Sequence, residues 1–173
     1  SYNGSAWTEV ADLNQARRDL GGSGTQTSAL AYGGAESVPT ASAKTNKWNG
    51  STWTEVADMP TAKYVYAGCA GADNESALAF GGYTTGIVAT TEEWNGSGWT
   101  AKADLNTARY SLAGGGIVTS ALAFGGYTTA QQALTEHYNG TCWTVKNVMN
   151  TARYNLGGTG ATYDSAMAFG GQP

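Results

Sequence analysis

Four near-copies of one short pattern constrain this chain more than any other feature. Tyr2-Asn3-Gly4-Ser5-Ala6-Trp7, Trp48-Asn49-Gly50-Ser51-Thr52-Trp53, Trp94-Asn95-Gly96-Ser97-Gly98-Trp99 and Tyr138-Asn139-Gly140-Thr141-Cys142-Trp143 each read aromatic, Asn-Gly, tryptophan. Asn-Gly is the strongest short-range hairpin signal, because both central residues of a type I′ turn need positive φ. Each copy is therefore expected to be a β-hairpin closed by that turn and flanked by aromatics. Trp7, Trp53, Trp99 and Trp143 fall 46, 46 and 44 residues apart. A period of this size marks a supersecondary unit that buries its faces only by stacking on neighbours.

Two further landmarks recur in the same phase. Ala29-Leu30-Ala31-Tyr32, Ala77-Leu78-Ala79-Phe80, Ala121-Leu122-Ala123-Phe124 and Ala166-Met167-Ala168-Phe169 alternate small and large residues, and each runs into a Gly pair. That is the period of a strand packed on both faces, ended by glycines that permit a sharp exit. A basic residue follows each hairpin, in Asn14-Gln15-Ala16-Arg17, Pro60-Thr61-Ala62-Lys63, Asn106-Thr107-Ala108-Arg109 and Asn150-Thr151-Ala152-Arg153, and leads into a Gly- and Ala-rich segment. One unit thus carries a Gly-rich strand, an Ala-Leu-Ala-Phe strand, an aromatic strand and a Trp strand. Four strands in such a period predict an all-β propeller blade, whereas helical solenoids need 3.6-residue spacing, which is absent. Gly in the first strand suits the crowding near a propeller axis. The chain starts in the third strand of a unit and stops after a second strand. Joining the two ends would complete a fourth blade and protect the open edges.

At these residues the sequence resembles the Kelch-repeat family: a basic residue before the first strand, then Gly33-Gly34, Gly81-Gly82, Gly125-Gly126 or Gly170-Gly171 after the second, then an aromatic and a Trp. The resemblance covers essentially the whole chain and implies one propeller domain over residues 1–173. Its four four-stranded blades would span residues 17–57, 63–102, 109–146 and 153–171 plus 1–11, the last completed by N- and C-terminal strands. The turn between aromatic and Trp is tighter than the family norm, and four repeats are fewer than such rings usually contain. Three arrangements stay open: a lone four-bladed ring, favoured by the matching end phases; a homodimer exchanging ends to form an eight-bladed ring; and a piece of a longer array.

Composition excludes several classes. Charged residues make up 13% and the net charge is −4, without the basic excess of a nucleic-acid binder. No apolar run approaches the length of a membrane span. Cys69 and Cys142 occupy non-equivalent places in the repeat and read as two free, partly buried thiols. His137 is the single histidine and reads as a surface strand residue. One histidine cannot supply a metal site, a serine or cysteine triad, or the ligands of the copper oxidases that share the Kelch fold. Glu9, Glu55, Asp12, Asp58 and Asp104 recur by repeat, where a catalytic carboxylate pair would break the symmetry. No catalytic residue, metal or cofactor is expected.

The regular polar feature is Arg17, Lys63, Arg109 and Arg153. Two roles suit it: an anion- or ligand-binding ring at the mouth of the axis, or, the favoured role, a salt bridge or backbone bond that ties each blade to the next. Tyr64, Tyr110 and Tyr154 directly follow three of the four, and Arg-Tyr pairs are common interface anchors. The loops after the Gly pairs, Ala35-Glu36-Ser37-Val38-Pro39-Thr40, Tyr83-Thr84-Thr85-Gly86 and Tyr127-Thr128-Thr129-Ala130, add Tyr83 and Tyr127 as contact residues. The expected function is non-catalytic recognition or assembly, with a protein or a glycan as partner. A multivalent lectin with one sugar per blade and a fibre, adhesin or virion component are the alternatives. A glycan-active enzyme ranks last.

Overall fold

The computed structural model describes residues 1–37, 40–64 and 69–173. Val38 and Pro39 of the first loop, and residues 65–68 of the Gly- and Ala-rich segment after Lys63, lie outside the described residues. The chain is all-β. The first unit holds β1 (Gly21–Gly24), β2 (Ala29–Tyr32), a short pair β3 (Ala35–Ser37) and β4 (Thr40–Ala41), then β5 (Thr45–Trp48) and β6 (Trp53–Val56). The second holds β7 (Cys69–Ala70), β8 (Ala77–Phe80), β9 (Thr91–Trp94) and β10 (Trp99–Lys102). The third holds β11 (Ala113–Ile117), β12 (Ser120–Phe124), β13 (Thr135–Tyr138) and β14 (Trp143–Lys146), and β15 (Tyr154–Thr159) and β16 (Met167–Gln172) follow. Three antiparallel four-stranded sheets result, ordered β1-β2-β5-β6, β7-β8-β9-β10 and β11-β12-β13-β14, with a two-stranded β15-β16 sheet after them.

The hairpins form where the sequence marks them. Trp48 faces Trp53, Trp94 faces Trp99 and Tyr138 faces Trp143 across the strands. The turn differs from the expected type I′. Only the glycines of these turns, Gly4, Gly50, Gly96 and Gly140, have positive φ, from 90° to 97°. Four residues separate each aromatic pair, and the Asn side chain closes the loop. Asn49 Oδ1 accepts from the Ser51 and Thr52 amides at 2.9 Å, and Asn3, Asn95 and Asn139 do the same in their turns. A side chain that mimics a backbone turn makes a second positive φ unnecessary.

Alternation in the second strand of each unit explains how the sheets stack. Leu30 and Tyr32 project toward Ala77, Ala79 and Trp94 of the next sheet. Leu78 and Phe80 project in turn toward Ala121, Ala123, Tyr138 and Trp143. Large side chains of one sheet fill the space that alanines leave on the following one, and each fully buried Leu or Phe contributes about 1.5–3 kcal/mol. A polar spoke accompanies each join. Trp99 Nε1 donates to Thr45 Oγ1 at 2.9 Å, and Trp143 Nε1 donates to Thr91 Oγ1 at 3.0 Å. The same indoles stand edge-on to Tyr32 and Phe80, with centroids 4.9 Å apart.

The Gly-rich strands β1, β7, β11 and β15 converge. Gly22, Gly24, Gly71, Gly114, Gly115, Gly116, Gly158 and Gly160 line one cleft of about 250 Å³. The Gly71 amide donates to Gly116 O at 3.2 Å and the Gly116 amide to Gly160 O at 2.9 Å. A methyl group on Gly115 would come within 2.9 Å of the Thr159 backbone, so no larger residue fits there.

The expected composite fourth sheet is not formed. Tyr2 and Trp7 make an isolated bridge, and among the described residues β16 pairs only with β15. The N-terminal hairpin is held instead by the Ser1 ammonium on Thr8 O at 2.6 Å and by Gln26 Nε2 on Tyr2 O at 3.0 Å. Trp7 stays 81% exposed. A lone two-stranded ribbon has little to hold it to a sheet it does not pair with.

Candidate functional site

The four repeated basic residues sit at the root of their units, where the chain enters each inner strand. Arg109 is fully buried. Its Nη1 donates to Gly125 O at 2.6 Å and Leu134 O at 2.8 Å, and its Nη2 pairs with Glu136 Oε1 at 3.1 Å. Lys63, also fully buried, donates to Thr90 O at 3.2 Å and Thr90 Oγ1 at 3.0 Å. Its Nζ lies 3.4 Å from Glu92, an ion pair rather than a close hydrogen bond. Arg17 reaches Gly33 O at 3.1 Å, Lys44 O at 2.6 Å and the Asn46 carboxamide. Arg153 holds Gly170 O at 3.2 Å and Gly171 O at 3.4 Å. Desolvation by burial lowers the pKa of Arg17, Lys63 and Arg109, and the neighbouring carboxylates oppose that shift.

These side-chain bonds tie segments within each unit rather than one unit to the next, which corrects the blade-to-blade tie expected of the basic residues. Lys63 and Arg109 offer no surface to a ligand, so the four cations do not form a ring open to solvent. Sequence reasoning missed their partners, Asn46, Glu92 and Glu136. The signal was present: each stands two residues before the aromatic of its hairpin, on the alternation that faces inward.

The tyrosines behave differently. Tyr64, Tyr83, Tyr110, Tyr127 and Tyr154 form one unbroken row, with successive ring centroids 6.2, 5.8, 5.7 and 5.3 Å apart. Backbone pairing builds the row. Tyr64 and Tyr83 exchange amide bonds of 2.9 and 3.1 Å, and Tyr110 and Tyr127 exchange bonds of 3.1 and 2.8 Å. The row passes from unit to unit because the Gly82 amide donates to Arg109 O at 3.0 Å and the Gly126 amide to Arg153 O at 2.8 Å. Tyr64 is buried, Tyr110, Tyr127 and Tyr154 are half-buried, and Tyr83 is exposed. Arg18, which replaces tyrosine in the first unit, pairs through its backbone with Ala35 and carries no ring into the row.

The remaining groups do not gather. His137 lies on β13 against the Tyr163 ring, with centroids 3.8 Å apart. Its pKa is lowered, first by burial and then by Lys146, while Asp164 opposes. Glu9, Asp12, Glu55, Asp58 and Asp104 are exposed. Cys142 is free as expected but exposed rather than partly buried, and the Cys69 side chain lies outside what the structure describes. Among the described residues no group of three His, Cys, Asp or Glu side chains could hold a metal ion. No family model matches this sequence, and no curated protein matches it.

Proposed function

We propose that this chain is a non-catalytic recognition module, built of Kelch-like propeller blades, that binds an extended neutral glycan along the tyrosine row. One observation carries the reading: five rings from three consecutive units form one contiguous row, of which Tyr83 is exposed and Tyr110, Tyr127 and Tyr154 are half-buried. Tyrosine combines a broad apolar face with a polar tip at low entropic cost, which suits ligands that are themselves amphipathic. The basic residues are engaged by backbone carbonyls and carboxylates, so charge recognition contributes little and a neutral partner fits better. A lectin with one separate sugar site per blade fits less well, because the rings touch in a line rather than line separate pockets.

The test is a glycan array read with the wild-type chain and with the Tyr83→Ala/Tyr127→Ala double variant. Wild-type binding to extended neutral glycans should fall at least about tenfold in the double variant while the β-sheet circular dichroism persists. An array with no glycan bound, or binding unchanged in the variant, removes this reading and leaves a protein partner or a fibre role.

A further inference from the structure

Two of the four Asn-Gly turns are written alike, Trp48-Asn49-Gly50-Ser51 and Trp94-Asn95-Gly96-Ser97, so a chemical difference between them belongs to the fold. The fold does separate them. The atoms nearest a methyl group on Gly50 or Gly140 would belong to Thr27 or Thr119, at 3.6 and 3.5 Å. At Gly96 an acid takes that place, and a methyl group there would come within 2.6 Å of Glu75 Oε2. Thr27, Glu75 and Thr119 are equivalent, each standing two residues before Ala29, Ala77 or Ala121. Only the second unit puts a carboxylate against the glycine of its turn.

The groups around Asn95 are arranged for attack on its side chain. Asn95 is exposed, and its Oδ1 accepts from the Ser97 amide at 3.1 Å, the Gly98 amide at 3.0 Å and Ser97 Oγ at 2.9 Å. Asn139 Oδ1 accepts two bonds, and at Asn49 the third donor, Thr52 Oγ1, stands back at 3.5 Å. Asn3 has as many donors as Asn95 but no acid, since a methyl group on Gly4 would meet nothing within 4 Å. Among the described residues, Asn95 Nδ2 and the Gly96 amide donate to nothing. Lys47 Nζ holds Glu75 Oε1 at 2.5 Å, which leaves Oε2 to face the glycine.

We propose that Asn95 is a self-modifying residue, converted through a cyclic imide to aspartate and isoaspartate with Glu75 as the base. The Gly96 nitrogen attacks Asn95 Cγ, an N–Cγ bond forms, and the amide proton passes to Glu75 Oε2. Charge develops on Oδ1, where the Ser97 and Gly98 amides and the Ser97 hydroxyl already point. The Cγ–Nδ2 bond then breaks, Glu75 returns the proton to Nδ2, and ammonia leaves. Water opens the five-membered imide at either carbonyl. With no Cβ on residue 96, nothing shields the attacking nitrogen. A positioned base is worth about 10²–10⁴-fold in such a proton transfer. Each conversion takes the net charge from −4 to −5. The isoaspartyl product also adds an atom to the backbone of the turn that seats Trp99 on Thr45. This site is separate from the tyrosine row and does not depend on the glycan reading.

The experiment holds the full chain at neutral pH and follows each Asn-Gly by peptide mass spectrometry and by hydroxylamine cleavage of the imide. In the folded chain Asn95 should convert at least about tenfold faster than Asn49. In denaturant the two rates should be equal. Glu75→Gln should bring Asn95 down to the rate of Asn49 and leave Asn49 and Asn139 unchanged. Ser97→Ala, which keeps the base, should slow Asn95 several-fold through the lost donor. It carries the test if Glu75→Gln loses its β-sheet circular dichroism. Equal rates at Asn95 and Asn49 in the folded chain would overturn the inference. So would undiminished conversion of Asn95 in a folded chain carrying Glu75→Gln. An Asn95 that is equally favoured in denaturant would overturn it too, by placing the difference in Gly98 against Thr52 rather than in the fold.

Discussion

Residues 106–110 and 150–154 spell the same pentapeptide, Asn-Thr-Ala-Arg-Tyr, yet their surroundings differ widely. Arg109 has no exposed surface and an ion pair with Glu136, while Arg153 holds two carbonyls and is half-exposed. Phe124 is 2% exposed and its counterpart Phe169 is 52% exposed. Local sequence therefore sets the backbone path and the root contacts, while the two outer strands decide whether those side chains leave water. The outer hairpin is what turns a β-ribbon into a buried layer.

Paired substitutions sharpen this contrast. Arg109→Ala strands Glu136 as a buried charge without its counter-ion and takes a donor from the Gly125 carbonyl. It should cost about 3–5 kcal/mol in denaturant unfolding, whereas Arg153→Ala should cost less than about 1 kcal/mol. Equal losses would mean that the fourth unit is as closed as the third. Phe124→Ala should cost about 3 kcal/mol through the cavity it opens against Leu156. Phe169→Ala should stay within about 1 kcal/mol, because a half-exposed ring gives up less burial.

A smaller effect is expected at the spokes. Thr91→Val removes the acceptor of the Trp143 indole and should lower stability by about 1–2 kcal/mol. Thr135→Val, which no indole of the described residues reaches, should fall within about 0.5 kcal/mol of the parent. The smallest expected effect is a pH dependence at His137. Its folded-state pKa lies below the ordinary value, so near pH 6 the unfolded chain binds more protons and stability rises with pH. Melting temperatures should dip slightly between about pH 7 and pH 5.5, around and below the usual histidine value of about 6.5. His137→Gln should flatten that part of the dip, and an unchanged slope would place the titration elsewhere.

Much of this was legible in the residues. The Trp spacing and the Asn-Gly turns located the three seated hairpins, because each turn closes on its own residues. The Ala-Leu-Ala-Phe alternation announced strands packed on both faces, and the structure adds the direction: large side chains point to the next sheet, small ones to the previous. The turn type was misread because an Asn side chain can do the work of a positive φ, and composition does not separate the two. The inward Glu92 and Glu136 were hidden among acids that look like surface residues. Only their phase relative to the aromatic, together with the cation opposite, distinguishes them. The joining of residues 1–8 to β16 could not be read at all, since phase matching says that two segments are compatible, not that they meet.

The indole-to-threonine spoke has a consequence for how such chains can change over evolutionary time. Both joins between the four-stranded sheets use the same donor atom, the same acceptor atom and the same aromatic edge contact. A duplicated or deleted stretch of one period therefore recreates an existing junction instead of demanding a new one. Length becomes a freely adjustable property of the lineage, while the chemistry of each seam is inherited unchanged.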